Sequence, residues 1–437
     1  MKQFCVKMSA PGPTLMMTPA LPFSKSICNR VLVVDALAHL QDGHFDTEWR
    51  NRLTDGLGVI DSRSPLICDD TRVMLDWLCR ENHRVVDVSA AGTAMRFSTA
   101  LAAMLQGETL LTGSPRMKER PIGVLVEALR TLGGEIDYVE REGFPPLRIR
   151  GGNMRGGIVS MAGNVSSQYI SAVLMIAPML REGLTLTLTG EMVSRPYIDM
   201  TLRVMGEFGA KTHWADERTI HVESERYTHR WDVFIEKDWS AASYWYEMLA
   251  LSDINTEVRM QSLTTSGMQG DSDVARIFEQ LGIETHFQND LNMKEVTLRK
   301  TDRITCRLSW DFTDTPDLAQ TVVVTCCMLG VPFHFTGLQS LKIKETDRIA
   351  ALQTELRKLG FDVEASASEM EWNGTYSDIC EDTVDTYKDH RMAMAFAPCA
   401  LKLGSIRIND PMVVTKSYPT FWEDLRNAGF TITECNV

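Results

Sequence analysis

Leu125-Val126-Glu127-Ala128-Leu129-Arg130-Thr131-Leu132-Gly133, followed by Glu135-Ile136-Asp137-Tyr138-Val139, decides how the chain is read. The first nine residues have the apolar spacing of an amphipathic helix. The glycine suits the left-handed position that closes such a helix, and the next five residues alternate as a strand does. The same order returns at residues 201–209 then 211–214, at 274–282 then 284–287, at 352–360 then 362–364, and at 421–429 then 431–433. An earlier copy, residues 73–81 then 85–88, lacks the glycine. Copies spaced by roughly seventy residues are too far apart for a solenoid of short units. They fit a larger α/β unit used six times, although helix–glycine–strand is also common in α/β proteins at large.

The 437 residues suffice for several domains, each with its own core. A formal net charge of −13 argues against a nucleic-acid or anionic-membrane partner. It also requires that any anionic substrate be met by cations gathered locally. The ten cysteines form no Cys-x-x-Cys pair and no metal-ligand cluster, so a reducing, cytoplasmic setting with buried thiols at Cys326-Cys327 is expected. The first 23 residues carry Lys2 and Lys7 and no unbroken apolar run, which predicts no secretory leader. The longest apolar stretch, 170–180, is too short to span a bilayer. Residues 42–68, rich in glycine and mixed charge, read as a surface excursion.

Charged and hydroxylic residues recur where loops enter helices. Ser24-Lys25-Ser26-Ile27-Cys28-Asn29-Arg30 places two hydroxyls and two cations at a helix start. That is an anion site, most plausibly for phosphate, or else a solvated N-cap. Ala91-Gly92-Thr93-Ala94-Met95-Arg96 puts an arginine in the first turn of an apolar helix, where its charge needs a partner. Pro115-Arg116-Met117-Lys118-Glu119-Arg120-Pro121 concentrates three cations, either as a site or as a solvated basic loop. Ser166-Ser167-Gln168 opens another apolar helix, and capping explains one serine but not the set. In the C-terminal half stand Pro316-Asp317, Lys342-Ile343-Lys344-Glu345-Thr346-Asp347-Arg348, Asp389-His390-Arg391 and Lys416. Helix N-termini converging on one cleft would make an anion trap.

These motifs, with Arg195-Pro196-Tyr197-Ile198-Asp199 and the run on to Met392-Ala393-Met394, occur together and in order. The chain thereby closely resembles the 5-enolpyruvylshikimate-3-phosphate synthase family of enolpyruvyl transferases, over about residues 20–420. The resemblance implies an α/β protein of two globular domains, each of three βαβαββ repeats, of the inverse α/β barrel type, closing over the substrates. Crossings fall near residues 21 and 237, so the expected domains are 1–21 plus 237–437, on the phosphoenolpyruvate and acid–base side, and 22–236, on the shikimate 3-phosphate side. The implied reaction moves the enolpyruvyl group of phosphoenolpyruvate to the 5-hydroxyl of shikimate 3-phosphate and releases phosphate. It needs no cofactor and no metal, and the resemblance is to a cytoplasmic, monomeric enzyme with these two small-molecule partners.

By matching motif, the resemblance assigns shikimate 3-phosphate to Lys25, Ser26, Arg30, Ser166, Ser167, Gln168, Ser194, Tyr197, Asp317 and Lys344. It assigns phosphoenolpyruvate to Lys25, Gly92, Arg120, Gln168, Arg348, Arg391 and Lys416. Asp317 is the expected base for the 5-hydroxyl and Glu345 the expected acid at the enol methylene, with Lys25 and His390 steadying the intermediate and the departing phosphate. Phe23, Ala90, Phe97 and Ser340 depart from residues usual in the family, and the stretch between residues 71 and 91 is short enough to lack a strand pair. The related transferase acting on UDP-N-acetylglucosamine usually carries a cysteine in the loop that corresponds to 113–120, and none stands there. A ligand-sensing paralogue would have lost an acid–base residue, whereas Asp317, Glu345 and His390 are all present. RNA phosphate cyclases share the architecture, but the charge and the missing nucleotide motif disfavour that reading.

Overall fold

The computed structural model describes residues 2–8, 16–80, 84–164, 166–230, 232–252, 256–290 and 293–436; Glu81, at the end of the glycine-less copy, lies outside them. The chain divides into two compact units, a continuous one, Phe23–Ile235, and a discontinuous one, Met1–Pro22 with Glu236–Val437.

The continuous unit has six principal helices: α1 (Lys25–Ala38), α2 (Asp69–Leu78), α3 (Gly92–Met104), α4 (Gly123–Thr131), α5 (Ser167–Ile176) and α6 (Arg195–Glu207). Nearly every residue of α3 and α5, and most of α1, is buried. Helices apolar all round belong inside, and these three pack on one another. The others bury a single stripe, as α4 does with Leu125, Val126, Ala128 and Leu129.

Strands close each repeat. Val85–Asp87 runs parallel to Gly107–Thr112, which pairs antiparallel with Leu147–Gly151, itself antiparallel to Glu135–Tyr138. Along the chain this reads strand, α3, strand, α4, strand, strand. Gly157–Ala162, α5, Leu184–Thr189, α6, Thr212–Trp214 and Thr219–Val222 repeat it with the same pairing. The repeat holding α1 and α2 has, among the described residues, only the hairpin Leu40–Gln41/His44–Phe45. In place of a sheet it carries the segment 42–68, which the structure shows to be more than a surface excursion. Trp49, Leu53, Ile60 and Ile67 are buried. The Trp49 indole N–H donates to Oδ2 of Asp35 in α1 at 2.7 Å, and the Leu66 carbonyl accepts from the Phe23 amide at 3.2 Å.

The discontinuous unit has six more principal helices among the described residues: α7 (Trp239–Leu251), α8 (Val274–Glu279), α9 (Ala319–Leu329), α10 (Arg348–Lys358), α11 (His390–Phe396) and α12 (Phe421–Asn427). Here α7, α9 and α11 are the buried trio. One repeat is continuous: Leu308–Asp311, α9, Phe333–Thr336, α10, Glu364–Ala365 and Met370–Trp372. The other two borrow from the N-terminal segment. Met16–Met17 pairs parallel with Glu257–Gln261, and Lys2–Met8 lies between Ser405–Asn409 and Phe430–Asn436, antiparallel to both. Phe4, Val6, Met17 and Leu21 join one continuous core with the helices.

Gly133, Gly209, Gly282, Gly360 and Gly429 have φ of 99°, 89°, 83°, 88° and 94°, where a side chain would be strained. Four follow a helix. Gly282 sits instead inside the strand Leu281–Asp290, at the register shift between Leu281 and Ile283. Cys326 and Cys327 are buried free thiols. No helix among the described residues is long and apolar enough to cross a membrane.

Candidate active site

In the discontinuous unit three helix starts and two turns bring their charges together. Asp317 lies in the turn Pro316–Leu318 that leads into α9, and Lys344 and Glu345 lie between the turn Gln339–Ile343 and α10. Arg348 opens α10, His390 and Arg391 open α11, and Lys416 ends the turn Pro411–Lys416. Asp389 caps α11 by accepting from the Arg391 amide at 2.9 Å, which aims both basic residues of that helix start.

Arg348 is the hub. Its Nε donates to Asp389 at 2.7 Å, Nη1 to Asp317 at 3.0 Å and Nη2 to Glu345 at 2.9 Å. Burial opposes its charge, but Asp389, Glu345 and Asp317 more than offset that and raise its pKa. Arg391 holds the other Asp317 oxygen at 2.9 Å, and Lys416 holds Glu345 at 2.7 Å. Lys344 stands 3.7 Å from Asp317, with 30% of its side chain exposed. Burial pushes the Lys344 ammonium below its usual range while Asp317 pulls it back. His390 is buried, its Nδ1 3.6 Å from Asp389. Two carboxylates thus stand among four cations, half-shielded from water, where charge interactions are strong.

In the continuous unit Lys25 opens α1 with its ammonium 3.6 Å from Asp70 of α2. Arg30, one turn further on, is buried and has four of its five N–H groups directed inward. Nε donates to Thr201 at 2.7 Å, Nη1 to the Ser26 carbonyl at 2.8 Å, and Nη2 to Ser171 at 3.0 Å and the Tyr197 carbonyl at 3.2 Å. Burial lowers its pKa to about 10. Its guanidinium also lies over the rings of Phe97, 5.4 Å away, and Tyr197, 5.9 Å away. Phe97 leaves α3 unbroken where proline would interrupt it.

Ser166 is the cap of α5, accepting from the Gln168 amide, while the Gln168 carboxamide donates to Thr93 in α3 at 3.0 Å. Ser194 occupies the N-cap position of α6 in the left-handed region, at φ 56°, without a capping bond from its side chain. Gly92 is where Arg120 arrives: a Cβ there would meet Nη1 of Arg120 at 2.6 Å and Nη1 of Arg96 at 3.0 Å. Of the three cations in residues 115–121, Arg116 and Lys118 form surface pairs with Glu119 and Glu140. Only Arg120 reaches the start of α3.

The model of EPSP synthase, 3-phosphoshikimate 1-carboxyvinyltransferase, matches residues 20–425. The chain belongs to the EPSP synthase family. A 3-phosphoshikimate 1-carboxyvinyltransferase of Bacteroides fragilis is 48% identical over 428 residues, covering 97% of this chain and 98% of the relative. One from Vibrio cholerae is 36% identical over 415 residues, covering 92% and 94%. The EPSP synthase structure from Acinetobacter baumannii superposes with a TM-score of 0.74 at 17% identity over the full length of both chains, a likeness of fold. The EPSP synthase family catalyses enolpyruvyl transfer in the shikimate pathway, and this chain has its two-domain α/β fold.

Sequence reasoning passed over three residues of the site. Asp389 stands inside a quoted motif, and its signal is a carboxylate just before a basic helix start. Asp70 is the anion that Lys25 faces. Asp271 is buried, bonded to the Ser240 hydroxyl, and raised to about 7 by burial first and Asp317 next. The partners the structure gives Arg96 are the Gly92 carbonyl, which accepts from Nη1 at 2.9 Å, and the Tyr169 ring at 5.6 Å.

Proposed function

We propose that this enzyme joins the 5-hydroxyl of shikimate 3-phosphate to C2 of phosphoenolpyruvate while the methylene carbon takes up a proton. The tetrahedral adduct then returns that proton and breaks its bond to phosphate. Asp317 takes the hydroxyl proton and Glu345 supplies and recovers the methylene proton. The observation that supports these roles is that both carboxylates are held on the one guanidinium of Arg348, with Arg391 and Lys416 on their far oxygens.

Substrate roles follow the motifs. Lys25, Ser26, Arg30, Ser166, Ser167, Gln168, Ser194, Tyr197, Asp317 and Lys344 bind shikimate 3-phosphate. Arg30 is anchored by its inward bonds and offers one remaining Nη1 hydrogen to the acceptor. Lys25, Gly92, Arg120, Gln168, Arg348, Arg391 and Lys416 bind phosphoenolpyruvate, and Lys25 with His390 steadies the adduct. Each substrate brings roughly −2.5 to −3 in charge, which is why a reaction between two such anions calls for so many cations. We place the enzyme in the cytoplasm as a monomer, with no nucleic-acid or membrane partner.

Purified protein given phosphoenolpyruvate and shikimate 3-phosphate should release phosphate, and UDP-N-acetylglucosamine should not replace the acceptor. Phosphate at background with shikimate 3-phosphate would sink the proposal.

A further inference from the structure

Two consecutive non-glycine residues, Tyr387 at φ 52° and Lys388 at φ 58°, lie in the left-handed region directly before Asp389-His390-Arg391. Such a conformation is costly for residues with a Cβ, and it persists where surrounding contacts over-determine it. Here they do so from one helix. Arg348 and Glu355 are seven residues apart on α10 and therefore share a face. Arg348 holds Asp389 on one side of the pair at 2.7 Å. Glu355, fully buried, holds the other side, accepting from the Tyr387 hydroxyl at 2.6 Å and the Asp385 amide at 3.1 Å. Lys358 braces this with an ion pair to Glu355 at 2.9 Å and to Asp385 at 3.0 Å, and Asn409 donates to Asp385 at 2.7 Å. The proton-transfer roles proposed above leave Glu355, Tyr387, Lys358 and Asp385 unused.

We propose that Glu355 and Tyr387 are positioning residues for the carboxyvinyl transfer. Together they clamp the left-handed turn whose far end aims Arg391 and His390. The clamp rests on the proposed role of Arg391 towards phosphoenolpyruvate. Burial first, and the facing Glu355 carboxylate next, keep the Tyr387 phenol protonated, so it remains a donor at every working pH.

Tyr387→Phe keeps the half-exposed ring and removes only the hydroxyl, so it is the first variant to test. Amide hydrogen exchange in the 385–392 segment should become faster. KM for phosphoenolpyruvate should rise about tenfold, as a small misplacement of a binding group does. KM for shikimate 3-phosphate should stay within about twofold. Adding Lys388→Gly, which makes the left-handed turn easy again, should recover part of the loss. Parental exchange in Tyr387→Phe overturns the clamp, and so does faster exchange with KM for phosphoenolpyruvate unmoved. If the parent protein releases no phosphate, the proposed function falls while hydrogen exchange still decides the clamp.

Discussion

The Nε of Arg348 lies 2.7 Å from Oδ2 of Asp389, with both side chains shut away from water. Removing one partner of a buried ion pair leaves the other charge uncompensated, which typically costs about 3–5 kcal/mol. Asp389→Asn keeps the shape and an oxygen able to cap α11, and removes the charge. The midpoint of urea unfolding should drop by the equivalent of about 3 kcal/mol. An unmoved midpoint would show that Glu345 and Asp317 alone satisfy Arg348.

Asp317 accepts from Arg348 and Arg391 together, so its removal subtracts a proton acceptor while leaving two cations in place. For Asp317→Ala, kcat should fall by about a hundredfold or more. KM for phosphoenolpyruvate should change far less. Equal losses in kcat and in phosphoenolpyruvate binding, measured by steady-state kinetics and direct titration, would argue against a base at this position.

The close approach of Arg120 to Gly92 makes a methyl group there a steric probe. Gly92→Ala should push the end of the Arg120 side chain aside, because the added methyl would stand 2.6 Å from Nη1. KM for phosphoenolpyruvate should rise about tenfold, with thermal stability near the parent's. A variant with parental KM would place Arg120 outside phosphoenolpyruvate binding.

Glu247, in the middle of α7, is fully buried, and neither carboxyl oxygen has a hydrogen-bond partner among the described residues. Burial raises its pKa well above the carboxylate range, so the folded state binds its proton more tightly than the unfolded state. The sign follows. Stability from this group is present below the unfolded value and is lost as pH climbs towards the folded one. Glu247→Gln removes that loss. The melting temperature of Glu247→Gln should exceed the parent's at pH 8, and the gap should shrink at pH 6. A gap that is constant with pH would mean that Glu247 finds a charge partner.

The five glycines are legible in the sequence because left-handed backbone excludes most side chains, so the position announces itself locally. The buried helices are legible for a similar reason: nothing polar interrupts 27–37 except Asn29, Arg30 and Asp35. The seating of Lys2–Met8 between two strands is not legible. Alternation marks a strand but carries no address for a partner hundreds of residues away. At the site, cations at helix starts stand out against an acidic chain. Asp70 and Asp389 do not, because a carboxylate that neutralises a distant cation obeys no local spacing. Segment 42–68 misleads for the opposite reason. Its glycines and charges dominate the composition, while a single indole ties it to α1.

The pairing of Gln3 with Asn409, 406 residues apart in sequence, has a consequence for synthesis. As a nascent chain leaves the ribosome, the compact unit Phe23–Ile235 is complete in sequence once residue 235 has emerged, and it can begin to fold while translation continues. Lys2–Met8 has to wait, because its neighbours on both sides, Ser405–Asn409 and Phe430–Asn436, are made almost two hundred residues later still. A strand translated ahead of the whole continuous unit is seated only after that unit is complete.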